Sequence, residues 1–201
     1  IVLIPEVTKA VKVPVVAAGG FKDGRGLLAA LSWGADGIAM GTRFLMTEES
    51  PVPRQTLQRY VDCNDPAEII VSRAMDGLPQ RMIMNELLST LEKAGPAKKL
   101  WIALTNAWAF HQHTGGSMAG LLKSAWSMHK DSEIPTSQAI MSANAPMIIQ
   151  KAMVDGEPAN GVLPSGQVAG VIDGLLSCED LINSIVTEAE QRLALLAQRA
   201  G

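Results

Sequence analysis

Aromatic side chains make up only 4% of this chain, and cysteine occurs twice, at Cys63 and Cys178. Neither cysteine has a Cys or His nearby at metal-ligand spacing. The pair therefore suits free thiols in a reducing compartment, and a cytoplasmic protein is expected. No dense Lys/Arg run interleaves with aromatics, and the formal charge is -3 with a pI of about 5.6. Nucleic acid and anionic membranes are thereby set aside as partners. The longest apolar runs fall short of the ~20 residues that a spanning helix needs. No signal peptide is legible either: Val2, Leu3 and Ile4 lead straight into Pro5 and Glu6, with no basic start and no small-residue cleavage site. An initiator Met is also missing, and the first line reads as though it opens inside a domain.

What is present is apolar and small. Hydrophobic residues reach 47%, charged residues 18%, and mean hydropathy is +0.16, enough to supply a packed core. The 201 residues suffice for one domain or for a piece of a larger one. The first stretch, from Ile1 to Val11, reads as a helix with Pro5 in its first turn. The apolar run from Val13 to Ala18, closed by Gly19 and Gly20, suits a parallel strand covered on both faces. Asp23 can cap a helix through Leu27, Leu28, Ala29, Ala30 and Leu31, which Gly34 to Gly37 ends. A second short strand runs from Ile38 to Met40. The result is one βαβ unit whose strands should be parallel neighbours.

After Pro51 the texture changes. Residues from about 54 to 160 read as helical, with breaks at Gly95 and Pro96, Gly115 and Gly116, Pro135 and Pro146. Residues 161–170 read as a Gly/Pro-rich loop. The chain closes on a helix with Ser177 as N-cap, Glu179 and Asp180 in the first turn, and an apolar stripe of Leu181, Ile182, Ile185, Val186, Ala189, Leu193 and Leu196. The division is thus 1–50 for the strands and their helices, 51–160 for an inserted helical lid, and 161–201 for the loop and returning helix.

The residues suited to chemistry lie at the two strand ends. Gly19 and Gly20 follow one strand, and Gly41 and Thr42 follow the other. Without a Cβ the backbone can approach a ligand closely and take up φ > 0, with its N–H groups pointing outward. Thr42 adds a hydroxyl and opens a short helical turn, Arg43 to Met46, whose positive end attracts an anion. In (β/α)8 barrels the loops after the last two strands, with the start of a short extra helix, form a recurring phosphate site. Arg43 fits a structural ion pair better than a ligand. His111 and His113 stand two apart, on different faces of a helix, which argues against a joint metal site; no metal is expected. These two and His129 are read as surface or lid-packing residues, and Trp101, Trp108 and Trp126 as packing either the lid's core or its contact with the ligand cleft.

Taken in order, the run from Pro14 to Gly20, then Asp23 to Gly26, Gly34 to Gly37, Met40 to Phe44 and Thr47 to Glu49 resembles the FMN-binding half of the nitronate monooxygenase (2-nitropropane dioxygenase) family. The run from Leu163 to Gln167, then Ala169 and Gly170, resembles that family's late Gly-Gln loop. The resemblance is close over 1–50 and 161–195 and weak between. It implies an α/β fold, the C-terminal part of an FMN-binding (β/α)8 (TIM) barrel with a helical lid insertion. It further implies FMN with its phosphate on Gly20, Gly41 and Thr42, Gly19 in the same turn, and Gln167 near the active site. The family's catalytic His, where it has one, belongs upstream of the first helix, so no catalytic residue is assigned.

On that resemblance the leading expectation is oxidation of alkyl nitronates with dioxygen. Two alternatives stay open: an NAD(P)H-dependent FMN reductase, such as a flavin-type enoyl-acyl carrier protein reductase, and a non-redox barrel for a sugar phosphate. The partners expected are a small-molecule substrate with dioxygen or NAD(P)H; a homodimer is admitted, with no residue assigned to it. Two strands cannot close a barrel, so the chain by itself is expected to fold poorly or to hold FMN weakly, without activity.

Overall fold

The structure is a computed structural model that describes residues 2–95, 98, 101 and 136–200, and in the last of these ranges side chains from 145 onward. Pro96, His111, His113, His129, Trp108, Trp126, Gly115, Gly116 and Pro135 lie outside the described residues, while Trp101 is 66% exposed among the described ones, against a place in the lid core. The chain divides into two compact units. One comprises Ile1–Pro51, Tyr60–Pro66 and Gly166–Gly201, the other Val52–Arg59 and Ala67–Ser165.

The first unit is built on the βαβ motif. Helix α1 (Leu3–Ala10) precedes strand β1 (Val16–Ala18), helix α2 (Gly24–Ser32) and strand β2 (Gly37–Ala39). The strands pair in parallel, Val16 with Gly37, Ala17 with Ile38 and Ala18 with Ala39. Asp23 caps α2 by accepting the Gly26 N–H at 3.2 Å, and Gly34 takes φ +88° where the chain turns back. Ala17, Ala30 and Ala35 form a small core with Ile4, Phe21 and Ile38 packed against it.

The expectation of a strand covered on both faces is corrected. Only Ala17 of β1 is buried, while Val13 and Val16 are 67% and 58% exposed. One face of the sheet packs on α2, and among the described residues of this unit nothing layers the other.

Helix α3 (Gly41–Leu45) starts directly at the end of β2, and a 3-10 turn spans Gln167–Val171 inside what reads in sequence as plain loop. The last helix of the chain, Cys178–Ala200, is capped as its sequence suggests: Ser177 Oγ accepts the Asp180 N–H at 3.0 Å. Its apolar stripe divides. Leu181, Ile185 and Ala189 are buried, whereas Ile182, Val186, Leu193 and Leu196 remain about half exposed. The buried side lies on α2 at very short range, because Gly24 presents no side chain.

The second unit departs most from the helical expectation. Helix α4 (Arg54–Val61) gives it the residues up to Arg59. An antiparallel hairpin follows: β3 (Ile69–Ser72) pairs with β4 (Gln80–Ile83), Ile69 opposite Ile83 and Ser72 opposite Gln80. The β-branched run Ile69, Ile70 and Val71 favours a strand over a helix. Helix α5 (Glu86–Lys93) starts at Asn85, whose Oδ1 accepts the Leu88 N–H at 2.8 Å and whose Nδ2 donates to the Pro158 and Gly161 carbonyls, each at 2.7 Å. Helix α6 (Thr136–Met153) runs through Pro146 instead of breaking there. Pro146 faces outward while Ala145, Met147 and Ile148 beside it are buried, and that burial offsets the missing backbone donor. Met75, Met82, Leu88, Leu91, Ile148 and Val162 form the core.

A Cβ on Gly24 would stand 2.4 Å from the Ile185 carbonyl oxygen and 2.5 Å from the Ala189 nitrogen, both rigid backbone atoms. Gly24→Ala is therefore expected to cost about 1–3 kcal/mol in urea or thermal unfolding, the range for overpacking. Gly37→Ala, with nothing within 4 Å of the new Cβ, should leave stability nearly unchanged. Equal behaviour of the two variants would contradict this packing.

Candidate functional site

Parallel pairing with Ala18 opposite Ala39 makes both strands of the first unit stop at one edge of the sheet. Neighbouring strands lie roughly 4.8 Å apart, so the segments that leave them start side by side. Gly19 and Gly20 leave β1 with φ of +106° and +79°, a region that L side chains rarely adopt. Gly41 leaves β2 as the first residue of α3, so its N–H and that of Thr42 have no partner within the helix. A Cβ built on Gly19, Gly20 or Gly41 would meet nothing within 4 Å. Among the described residues, no protein atom comes close to any of the three glycines. The space over all three stays open to something else.

Gln167 and Thr42 reach the same edge through one segment. The Gly166 N–H donates to Thr42 Oγ1 at 2.8 Å. That bond uses the hydroxyl as an acceptor, and among the described residues it donates to no one. A Cβ on Gly166 would lie 3.0 Å from Thr42 Oγ1, so glycine also sets this approach. Gln167 opens the 3-10 turn, is exposed, and makes no side-chain hydrogen bond among the described residues. At the far end of that turn, Lys22 Nζ donates to the Val171 carbonyl at 2.5 Å. The segment is thus fastened to the β2 loop at Gly166 and to the β1 loop at Val171. Between them opens a cleft of about 420 Å³, lined by Gly20, Phe21, Lys22, Arg25, Gln167 and Val168 among others.

The structure therefore gathers all five residues singled out in sequence, Gly19, Gly20, Gly41, Thr42 and Gln167, into one unit. Gly20 and Gln167 share the cleft. Lys22 was missed, because a lone Lys after a glycine pair carries no pattern. Arg43 differs from expectation. It is 6% exposed and donates through Nη1 to the Met46 and Gly174 carbonyls at 3.0 and 3.3 Å, with no carboxylate paired to it among the described residues. Burial lowers its pKa from the ordinary guanidinium value. It stitches the end of α3 to the 171–176 loop by neutral acceptors instead of an ion pair.

Charges next to the cleft are mostly spent on one another. Asp23 takes the Gly26 N–H and pairs with Arg25, and Glu188 accepts the Gly24 N–H at 2.9 Å and stands 3.6 Å from Arg25 Nε. Burial pushes the Asp23 carboxyl up, but the Arg25 bond, the Gly26 N–H and the charges of Arg25 and Lys22 outweigh it and hold the pKa below the ordinary value. Among the described residues no group of three His, Cys, Asp or Glu could hold a metal ion, and no helix is long and apolar enough to cross a membrane.

Residues 1–188 match the family model described as nitronate monooxygenase. A (3aS,4S,5R,7aS)-5-hydroxy-7a-methyl-1-oxo-octahydro-1H-indene-4-carboxyl-CoA dehydrogenase from Rhodococcus jostii is 46% identical over 98% of this chain and 56% of its own length. A probable nitronate monooxygenase from Staphylococcus haemolyticus is 43% identical, over 45% of this chain and 25% of its own length. Among solved structures, FabK from Thermotoga maritima superposes with a TM-score of 0.68 over 98% of this chain and 51% of that one, at 24% identity, a likeness of fold alone. The chain thus spans about half the length of the first of these relatives, and its fold is α/β.

The lowered Asp23 pKa fixes a sign. Its contribution to stability is present above the unfolded carboxylate value, about 3.9, and is lost as pH falls through the lower folded value. Asp23→Asn keeps a capping side chain but cannot titrate. Thermal midpoints of wild type and Asp23→Asn should therefore draw together as pH falls from neutrality through the unfolded carboxylate value, about 3.9, and below it. A gap that stays constant with pH would contradict the assignment.

Proposed function

The chain belongs to the nitronate monooxygenase family, and on that premise we propose that it forms the C-terminal part of an FMN-dependent oxidoreductase built on a (β/α)8 barrel. Residues 51–160 then supply an inserted lid and substrate domain, with a β-hairpin besides its helices. The observation that carries the reading is the pair of glycine-bearing strand ends, adjacent at one edge, with open space where Gly20 and Gly41 would place a side chain. A phosphate monoester fits that space, since it takes hydrogen bonds from backbone N–H groups and tolerates no Cβ there.

In this reading the N–H groups of Gly19, Gly20, Gly41 and Thr42 grip the phosphate. The Thr42 hydroxyl, held from behind by the Gly166 N–H, donates its own proton to a phosphate oxygen. Gln167 lines the approach to the same cleft. When bound, FMN supplies two-electron redox chemistry, and the protein orients it. No acid or base is assigned to this chain, and membership of this family leaves the non-redox sugar-phosphate barrel without support.

For the substrate, the extent of likeness supports one class ahead of the other. Similarity to the CoA dehydrogenase runs over 98% of the chain, and that to the nitronate monooxygenase over 45%. A CoA thioester of an alicyclic carboxylic acid is therefore the leading substrate class. An alkyl nitronate with dioxygen as acceptor is the second reading, supported by the family itself.

In the full-length protein that contains this chain, anaerobic mixing with an alicyclic acyl-CoA is expected to bleach the visible flavin band. Bleaching by a nitronate alone would move the second reading to the front, and bleaching by NAD(P)H alone would make the protein a reductase. Gly41→Val is the cleaner probe of the cradle, since its backbone is unstrained and nothing protein-borne clashes. It should purify folded and without flavin. Gly20→Val should also lose flavin, with a further cost of roughly 1–2 kcal/mol for a side chain at φ +79°. Full flavin content in folded Gly41→Val would remove the phosphate from this edge.

A further inference from the structure

The cleft that holds Gly20 and Gln167 is bordered by two cations and one carboxylate, Lys22, Arg25 and Asp23. Arg25 and Asp23 neutralise each other, and Glu188 adds a second carboxylate near the Arg25 guanidinium. Lys22 is the cation left over. Its ammonium has no carboxylate at ion-pair distance among the described residues, and its one described hydrogen bond goes to the neutral Val171 carbonyl. It stands two residues beyond Gly20, on the loop whose glycines turn outward. A second hollow, of about 440 Å³, also borders Lys22 but carries Asp23, Asp173 and Glu188 against Lys22 and Arg43. An anion is therefore directed to the Gly20 side.

We propose that Lys22 is the phosphate-binding cation of this cleft, moving its ammonium from the Val171 carbonyl onto an oxygen of the phosphate ester cradled at Gly20 and Gly41. The assignment rests on the flavin reading above and adds to it a charged contact. The backbone cradle supplies only partial positive charges, and a phosphate monoester carries nearly two negative ones. A flexible Lys suits this task as a point charge. The move also frees the Val171 carbonyl, so ligand binding would loosen the link between the β1 loop and the 3-10 turn while the link at Thr42 stays.

The experiment uses the full-length protein stripped of flavin, titrated with FMN and with riboflavin, which lacks the phosphate. Lys22→Met is expected to weaken FMN binding by about tenfold to a hundredfold, the value of one charge-assisted hydrogen bond, with riboflavin binding unchanged. Lys22→Arg should keep most of the FMN affinity. The salt dependence of FMN binding should flatten in Lys22→Met.

Equal weakening of both flavins would mean that Lys22 acts only by tying down Val171, and would overturn the assignment. So would FMN binding that Lys22→Met leaves intact. Coenzyme A binding to the flavin-loaded protein should be the same in wild type and Lys22→Met. A loss confined to coenzyme A would hand the cation to the substrate's phosphates and overturn the assignment. Wild type that binds no FMN would sink the flavin reading and this contact with it.

Discussion

The parallel register of β1 and β2 is the constraint on which the site depends. Pairing Ala18 with Ala39 brings Gly19, Gly20, Gly41 and Thr42 to one edge. A slip of a single residue would turn Ala17 out of its small core and move one strand end by roughly 3.3 Å. That register is held by little apolar surface, since the buried members of its core among the described residues are three alanines, Ala17, Ala30 and Ala35. It is reinforced from outside the sheet. Gly24 lets α2 lie against the last helix, and Glu188 on that helix accepts the Gly24 N–H. The start of α2 is thus fixed from behind, and with it the outward loop from Gly19 to Asp23.

The segment from Gly166 to Val171 adds a second level of order. Gly166 orients the Thr42 hydroxyl, and Val171 receives Lys22. Each tie is a single hydrogen bond between a backbone group and a side chain, worth about 1 kcal/mol in water-exposed settings. Ties of that size hold a loop in place yet yield to a ligand that offers a better partner. The cleft can therefore exist before binding and still adjust to it. Open space above three glycines, a hydroxyl proton with no acceptor among the described residues, and the Lys22 ammonium, which meets no carboxylate at ion-pair distance among them, are complementary to a dianion.

Legibility differed sharply between the two units. The βαβ motif was readable because its punctuation is strong: Asp23 as cap, the glycine pair after a short apolar run, and Gly34 at a positive φ. Gly19, Gly20, Gly41 and Thr42 were singled out by their position at strand ends, and Gln167 by resemblance to the family's late Gly-Gln loop. Within this chain only Ala17 of β1 is buried, and the open face is one that further strands of the proposed barrel would cover, which an apolar run anticipates without saying what does the covering. The hairpin of β3 and β4 was missed, although Ile69, Ile70 and Val71 are β-branched, because the Met-rich, Pro-spaced surroundings read as helix breaks. Pro146 was misread for the opposite reason, since burial of its neighbours overrides a local rule. Lys22 was invisible, because its meaning comes from which carboxylates fail to reach it.

The central claim is that this edge of the sheet holds the phosphate of FMN. The most direct measurement is the visible absorbance spectrum of the purified full-length protein, with the ligand released by heat and identified in the supernatant. Paired flavin bands with FMN in the supernatant are the result expected. A colourless protein that takes up no added FMN would contradict the account and leave the open strand-end glycines as a site for a different phosphate.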